Sequence, residues 1–394
     1  MKYAMYRLIR KLTCFLLCLV LLRGVGAAEE IAQDVTSRCT LDSAVNRSTL
    51  TNVRSSKIAN CWDALEDGAL TVTLPQGSTA QGIMLSFFCE PPRLHIFDAD
   101  GTLLADWDDG YYNAWIPFSK PSAQFTIRRA QGGDLILSRL HVMTPGQLPS
   151  WVQQWKTLEG STELLLIATH PDDDILWFGG MLPTYAGERN MKVQVAYMVG
   201  GRNSIRRIEL LNALWHCGVR YYPDIGRFED GGSGNIRTAY QFWGGEEQVD
   251  LYITRLLRKW QPQVIAAQDL KGEYGHLHHQ ITTRAITRSI ATLCSDPAYD
   301  PQSAADYGVA HPKKLYIHLY DRNPVSYDWE QPLSAFGGKT GLQVAREAFL
   351  MHESQQSGRY HVSVKNHLSS ARFGLYYTTV GPDVIGRDMF ENIP

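Results

Sequence analysis

Leu164-Leu165-Leu166-Ile167-Ala168-Thr169-His170-Pro171-Asp172-Asp173-Asp174 is the stretch on which both the fold and the chemistry turn. Five apolar residues in a row, without polar alternation, suit a strand covered on both faces, as in a parallel sheet flanked by helices. A proline turn follows, carrying one imidazole and three carboxylates. In open α/β sheets, binding sites form beyond the carboxyl ends of the strands. Crowded together without a cation, the carboxylates would repel and raise one another's pKa values, and a divalent metal removes that conflict. An acid-rich helix start, which the helix dipole favours, accounts for the same residues equally well.

Working outward, Val193–Val199, Val264–Ala267 and Leu315–Tyr320 are further apolar or β-branched runs. Between them Ile205–His216 and Glu247–Lys259 carry amphipathic helical spacing, the first stopping at Gly218. The β-α-β-α order predicts an α/β domain over residues 161–394, with a Rossmann-like, open, mostly parallel sheet. Upstream, over residues 36–145, short runs such as Leu70–Leu74, Gly82–Phe88, Arg93–Phe97 and Gln124–Ile127 alternate with turn signals. Pro75-Gln76-Gly77, Pro91-Pro92 and Asp98-Ala99-Asp100-Gly101 are among those signals, and the pattern predicts an all-β, jelly-roll-like antiparallel sandwich. Residues 146–160 read as a linker, with Trp151 and Trp155 expected to cap the domain that follows.

The 394 residues, 44% of them apolar, are enough for two cores and exclude a disordered chain. Lys2, Arg7, Arg10 and Lys11 precede the apolar run Leu12–Leu22, and Gly26-Ala27-Ala28 follows. This is the pattern of a secretory signal over residues 1–28. Its apolar run is shorter than the ~20 residues that span a bilayer, so membrane attachment is expected only through an uncleaved signal. Without residues 1–28 the chain has 33 basic against 40 acidic side chains, net −7, and no Lys/Arg-rich run. A nucleic-acid partner is therefore not expected. Export to an extracytoplasmic location, the cell envelope, periplasm or medium, is. Of the five cysteines beyond the signal, Cys39 and Cys61 form the best candidate disulfide, and the others read as small buried apolar residues.

A second chemical cluster, Gly272-Glu273-Tyr274-Gly275-His276-Leu277-His278-His279, follows the Val264–Ala267 strand. Three imidazoles in four residues beside glycines rarely serve a core. Emerging from a strand end, they should face the same sheet edge as His170. A His, Asp and His set from two strand ends leaves zinc an open position for water.

Together these motifs resemble those of the PIG-L/LmbE-like family of zinc-dependent N-acetylglucosaminyl deacetylases. That family shows Ala-His-Pro-Asp-Asp-Glu after its first strand and Gly-His-x-x-His later. The resemblance spans residues about 160–394, roughly 60% of the chain. It implies a metal-dependent hydrolase that removes the N-acetyl group from a GlcNAc-containing glycan or glycoconjugate by attack of metal-bound water. Position by position it implies His170, Asp173 and His279 as ligands of one Zn2+ or another divalent transition metal. It implies Asp172 as general base, His276 as acid or oxyanion partner, and Tyr274 as a further oxyanion donor. The family's Arg-x-x-Glu corresponds to Arg206 and Glu209, with Arg206 touching substrate. Alternatives are an amidase acting on a non-acetyl or non-sugar amide, and a non-catalytic glycan-binding protein with a structural metal. Two positions depart from the pattern: Asp174 stands for the usual Glu, and Leu277-His278 for the commoner Pro-Asp. Both flank the ligands and are expected to tune the surroundings of the site. His278 is also a conceivable fourth ligand, and Gln355 a pocket residue.

Elsewhere, Gly244-Gly245-Glu246-Glu247 reads as a loop and helix start, and Glu229-Asp230 as a pocket rim or a solvated turn. Gly200-Gly201-Arg202-Asn203-Ser204 lacks the spacing of a dinucleotide fingerprint. Trp107, Tyr111, Tyr112 and Trp115, beside Asp106, Asp108 and Asp109, suit either sugar stacking or packing of the sandwich and its junction with the second domain.

Overall fold

The structure, a computed structural model, describes residues 30–232 and 234–394; the signal reading of residues 1–28 lies outside them. Among the described residues no helix is long and apolar enough to cross a membrane. The N-terminal strands are β1 (Thr40–Asp42), β2 (Trp62–Asp63), β3 (Leu70–Thr73), β4 (Ala80–Phe87), β5 (Leu94–Asp98), β6 (Leu103–Trp107), β7 (Asn113–Ser122), β8 (Gln124–Arg129) and β9 (Ile136–Met143). They form two sheets, β1-β3-β8-β5-β6 and β2-β9-β4-β7, with antiparallel pairing throughout. Leu70, Val72, Leu94, Ile96, Phe125 and Ile127 of one sheet meet Ile83, Leu85, Phe87, Leu137, Leu140 and Val142 of the other in a single core. Period-two alternation along each strand puts those side chains on the inner face.

The Cys39–Cys61 disulfide does not form. All five described cysteines are free thiols. Cys39 Sγ turns to the Val35 carbonyl at 3.4 Å, whereas Cys61 Sγ lies against the carbonyls of Ile58 and Ala59 at 3.7 and 3.6 Å. Closeness in sequence does not bring the two sulfurs together, because each lies against its own local turn.

The C-terminal elements follow in chain order: β10 (Leu164–Ala168), α1 (Asp173–Leu176), β11 (Val193–Val199), α2 (Ser204–His216), β12 (Asp224–Phe228), α3 (Ile236–Phe242), α4 (Glu246–Trp260), β13 (Val264–Ala267), α5 (Leu277–Arg288), α6 (Pro301–Tyr307), β14 (Lys314–His318), β15 (Pro324–Ser326), α7 (Gly341–Leu350) and β16 (Arg372–Thr378). The sheet order is β12-β11-β10-β13-β14-β16-β15. The first five strands are parallel, and β16 and β15 are antiparallel additions at one edge. Leu164, Leu166 and Ala168 point into one apolar layer with Leu210 and Leu214 of α2. Leu165 and Ile167 point into the other with Ile253 and Leu257 of α4 and Ile281 of α5. An uninterrupted apolar strand is thus buried on both faces, as β10 requires.

Strand order reverses about β10, which pairs with β11 on one side and β13 on the other. A crevice opens beyond the carboxyl ends of strands at such a reversal, and the His-Pro-Asp turn lies there. Gly200, at the end of β11, has φ +122, and a Cβ on it would stand 2.9 Å from Cγ of Pro171. Only glycine fits that backbone and that approach.

The two halves are joined by buried amides. Asn113 of β7, fully buried, donates through Nδ2 to Gln153 Oε1 and Asn212 Oδ1, both at 3.0 Å. Gln153 Nε2 donates to Asn212 Oδ1 at 2.8 Å, and the Trp155 indole donates to Gln153 Oε1 at 3.0 Å. Tyr111 stacks on Tyr222 at 4.5 Å, and the Arg207 guanidinium lies 3.4 Å from the centre of the Tyr112 ring. Of the aromatic group noted in the sequence, Tyr111 and Tyr112 pack the junction and Trp107 packs the sandwich core against Phe87. Trp155 caps the second half against Trp215, while Trp151 remains 42% exposed against His141 of the sandwich. Gln153→Leu keeps the volume but leaves the buried Trp155 N–H without an acceptor, a cost of about 1–3 kcal/mol. The midpoint of denaturant unfolding should fall accordingly, and adding Trp155→Phe should recover part of it. An unchanged midpoint in the single variant would show that the amide network contributes nothing to stability.

Candidate metal centre and active site

Residues far apart in sequence are drawn together by short polar ties at the carboxyl ends of β10 and β13. The Thr169 amide donates to Gln268 Oε1 at 2.8 Å, and Thr169 Oγ1 lies 3.2 Å from Thr282 Oγ1 of α5. Beyond these ties, His170 Nδ1, Asp173 Oδ2 and His279 Nε2 form a triangle with edges of 3.0, 3.2 and 3.2 Å. All three side chains are buried, to 5%, 3% and 0% exposure respectively. The Asp173 carboxylate is fixed from two sides: Oδ2 accepts from the His170 amide at 2.7 Å, and Oδ1 from the Trp177 indole at 2.7 Å.

The electrostatics call for positive charge at this point. Burial alone would lower the His279 pKa, but Asp173 and Glu273 outweigh it and push it to about 10. Burial would likewise raise Asp173, yet the facing His279 and His170 hold it well below the usual carboxylate range. Two ring nitrogens and one carboxylate oxygen, from two strand ends, converge within 3.2 Å of one another. The donors, their spacing and their burial therefore fit a divalent cation.

The remaining residues singled out in the sequence surround this triangle. Asp172, N-cap of α1, has φ +125, a backbone conformation costly for any side chain but glycine. Burial first, and then the adjacent Asp173, raise its pKa well above the usual value, while Arg206 opposes them. Arg206 Nη2 lies 3.0 Å from Asp172 Oδ1 and also bonds the Pro171 carbonyl; Nη1 lies 3.3 Å from Asp230 Oδ2. Arg206 is thus bound to the aspartates of the site rather than left open on its own. Its helix mate Glu209 is fully buried and accepts from the Ser354 amide and hydroxyl at 2.7 and 2.6 Å, anchoring the segment that carries Gln355. The Gln355 side chain turns to the Ser354 hydroxyl.

His276 stacks on His279 with ring centres 4.5 Å apart, and its Nδ1 is buried without a partner. Burial, reinforced by His170 and His279, lowers its pKa to about 3, so its ring is neutral. Tyr274 is 42% exposed, stacks on Tyr360 at 4.7 Å and meets His276 edge-on at 5.6 Å. Burial and then Asp173 raise its pKa, so the phenol keeps its proton. Asp174 is fully buried facing Tyr197, and burial raises its pKa to about 7. His278 lies against Trp243 with ring centres 4.3 Å apart. It joins His170 and His276 in a second trio whose ligand atoms lie within 4.8 Å of one another.

Two participants, Glu273 and His318, escaped the sequence reading, and a third, Asp230, belongs to the acidic pair noted there. Glu273 faces His279 Nδ1 with Oε2 at 2.6 Å and His318 Nδ1 with Oε1 at 3.0 Å. His318, at the end of β14, turns Nε2 to the Ser369 carbonyl at 3.0 Å. Asp230, half-exposed, holds Arg206 and lies 3.5 Å from His170 Nε2, which favours the pocket-rim alternative for that acidic pair. Glu273 stood inside the quoted motif, and its place beside Tyr274 was the available signal; nothing local marked His318.

Residues 165–290 match the family described as PIG-L: GlcNAc-PI de-N-acetylase. A 1D-myo-inositol 2-acetamido-2-deoxy-alpha-D-glucopyranoside deacetylase of Catenulispora acidiphila is 28% identical over 181 residues, covering 39% of this chain and 54% of its own length. A deacetylase of the same description from Actinosynnema mirum is 30% identical over 34% of this chain and 58% of its own length. The chain thus spans little more than half the length of these relatives. Among solved structures, the N,N'-diacetylchitobiose deacetylase of Pyrococcus horikoshii covers 50% of this chain and 71% of its own, at 19% identity and a TM-score of 0.39. By the match over residues 165–290, which includes both the His-Pro-Asp turn and the His-rich cluster, this chain carries a PIG-L domain.

Proposed function

We propose that the chain hydrolyses the N-acetyl group of a GlcNAc-containing glycan or glycoconjugate, releasing acetate and a free amine. The observation that carries the proposal is the buried His170–Asp173–His279 triangle with Asp172 beside it in the grip of Arg206. The substrate class is supported by the relatives described as deacetylases of a GlcNAc-type inositol glycoside.

His170, Asp173 and His279 would hold the cation, with zinc the best match to two imidazoles and a carboxylate. When bound, such a cation lowers the pKa of water to about 7 and polarises a carbonyl. Asp172, its proton affinity raised by burial and by Asp173, takes a proton from the attacking water and returns it to the departing nitrogen. Arg206 keeps that carboxylate aimed. As the carbonyl oxygen gains negative charge, His276 serves as a neutral N–H donor, which its low pKa favours over a protonated acid. Tyr274, whose phenol keeps its proton, is the second donor; losing one such donor typically costs about 3–4 kcal/mol of barrier. The stacked Tyr274 and Tyr360 rings offer an aromatic face to a sugar. An extracytoplasmic site of action, resting on the composition of residues 1–28, belongs to the same proposal.

Acetate release from GlcNAc-inositol, N,N'-diacetylchitobiose and a peptidoglycan fragment, by the zinc-loaded protein, tests it. Turnover of at least one is expected. Absence of acetate from all three, with metal bound one to one, would overturn the deacetylase reading.

A further inference from the structure

We infer that Glu273, braced by His318, is the positioning residue that aims His279 at the cation; the inference rests on the metal-binding reading above. His279 has two ring nitrogens and only one can be a ligand. Nδ1 lies 2.6 Å from Glu273 Oε2. A carboxylate can only accept, so Nδ1 carries the hydrogen and Nε2 presents its lone pair to His170 and Asp173. The carboxylate fixes both the tautomer and the plane of the ring.

Glu273 is itself held. Its Oε1 accepts from the Asp269 amide at 2.9 Å and from His318 Nδ1 at 3.0 Å. His318 Nε2 faces the Ser369 carbonyl at 3.0 Å, so the ring is held at both of its nitrogens. The side chains of Glu273, His279 and His318 are all 0% exposed. One carboxylate between two imidazoles, with no water access, has a single orientation in which every polar atom is satisfied.

The backbone makes the same point independently. Glu273 sits at φ +37, in the left-handed region, although it is not glycine. Gly272 and Gly275 nearby also have positive φ, at +72 and +89. If the loop required only a tight turn, glycine at 273 would relieve the backbone strain. Holding a carboxylate under His279 is what the strained position achieves. His318 comes from β14, a strand that contributes no ligand, so orientation of the cation site depends on a third strand end.

The test is Glu273→Gln. Its amide offers one acceptor and one donor to two N–H groups and cannot serve both. Zinc affinity, read by competition with a chelator, should weaken about 10–100-fold. In the cobalt(II)-loaded protein the d–d absorption bands should shift, because one ligand is turned; a merely structural role would leave them alone. Glu273→Asp retains the charge at shorter reach and should fall between, which keeps the inference testable if the Gln variant does not fold. Zinc affinity within twofold of wild type and an unchanged cobalt spectrum in the folded variants would overturn it. A wild-type protein that binds no zinc would instead remove the metal-binding reading itself.

Discussion

His279→Ala is expected to remove the tightly held cation and the activity together. His279 supplies one corner of a triangle whose edges are 3.0–3.2 Å, and its side chain is fully buried. Two ligands remain after the substitution, one imidazole and one carboxylate, too few to retain a divalent ion against dialysis. The loss of a Lewis acid worth several kcal/mol of transition-state stabilisation corresponds to a fall on the order of 10⁴-fold in kcat/KM. The substitution also leaves Glu273 with only His318 as an imidazole partner, so the thermal midpoint should drop as well. Elemental analysis after dialysis decides the matter. Metal retained one to one by the variant would show that the ligands have been misassigned.

Asp172→Asn should separate chemistry from metal binding. The amide cannot take a proton, so kcat should fall about 10²–10⁴-fold while metal content stays at wild-type level. Activity unchanged from wild type would transfer the base role elsewhere. Asp172→Gly adds a stability measurement. At φ +125 the native backbone suits glycine alone, and the substitution also removes a buried carboxyl crowded by Asp173. Relief of about 1 kcal/mol is expected, a rise of roughly 2–4 °C in Tm, in a protein as inactive as the Asn variant. A lower Tm would mean that the pair with Arg206 outweighs the strain, and that the backbone at 172 is not held under tension for the sake of the reaction.

What the sequence revealed, and what it hid, follow from the range of the forces involved. Strand β10 was legible because burial on both faces forces every residue from Leu164 to Ala168 to be apolar, and helix α2 because its apolar spacing repeats over thirteen residues. The convergence of His170 and His279 could be anticipated because both lie past the ends of parallel strands, which topology alone brings to one edge. His318 could not be found this way: it closes a run of buried strand residues, and its partners Glu273 and Ser369 lie 45 and 51 residues away. The Cys39–Cys61 pairing failed for the opposite reason. Spacing placed the two thiols in one segment, but the fold turns each sulfur to a different stretch of backbone, Cys39 to Val35 and Cys61 to Ile58 and Ala59. Packing of Tyr111 and Tyr112 at the junction was one of the two readings open in the sequence, but their partners Tyr222 and Arg207 come from distant segments and could not be named from it.

Helix α2 is a shared wall. Arg206 reaches Asp172, and the very next residue, Arg207, is clamped to the other half of the molecule through Tyr112 and the Phe88 carbonyl. The reach of one guanidinium is therefore calibrated by the anchorage of its neighbour. A chain trimmed to its C-terminal portion would keep His170, Asp172, Asp173 and His279, yet lose the external brace that Arg207 finds in Tyr112 and the Phe88 carbonyl. The sandwich is in mechanical terms part of the frame that holds the site.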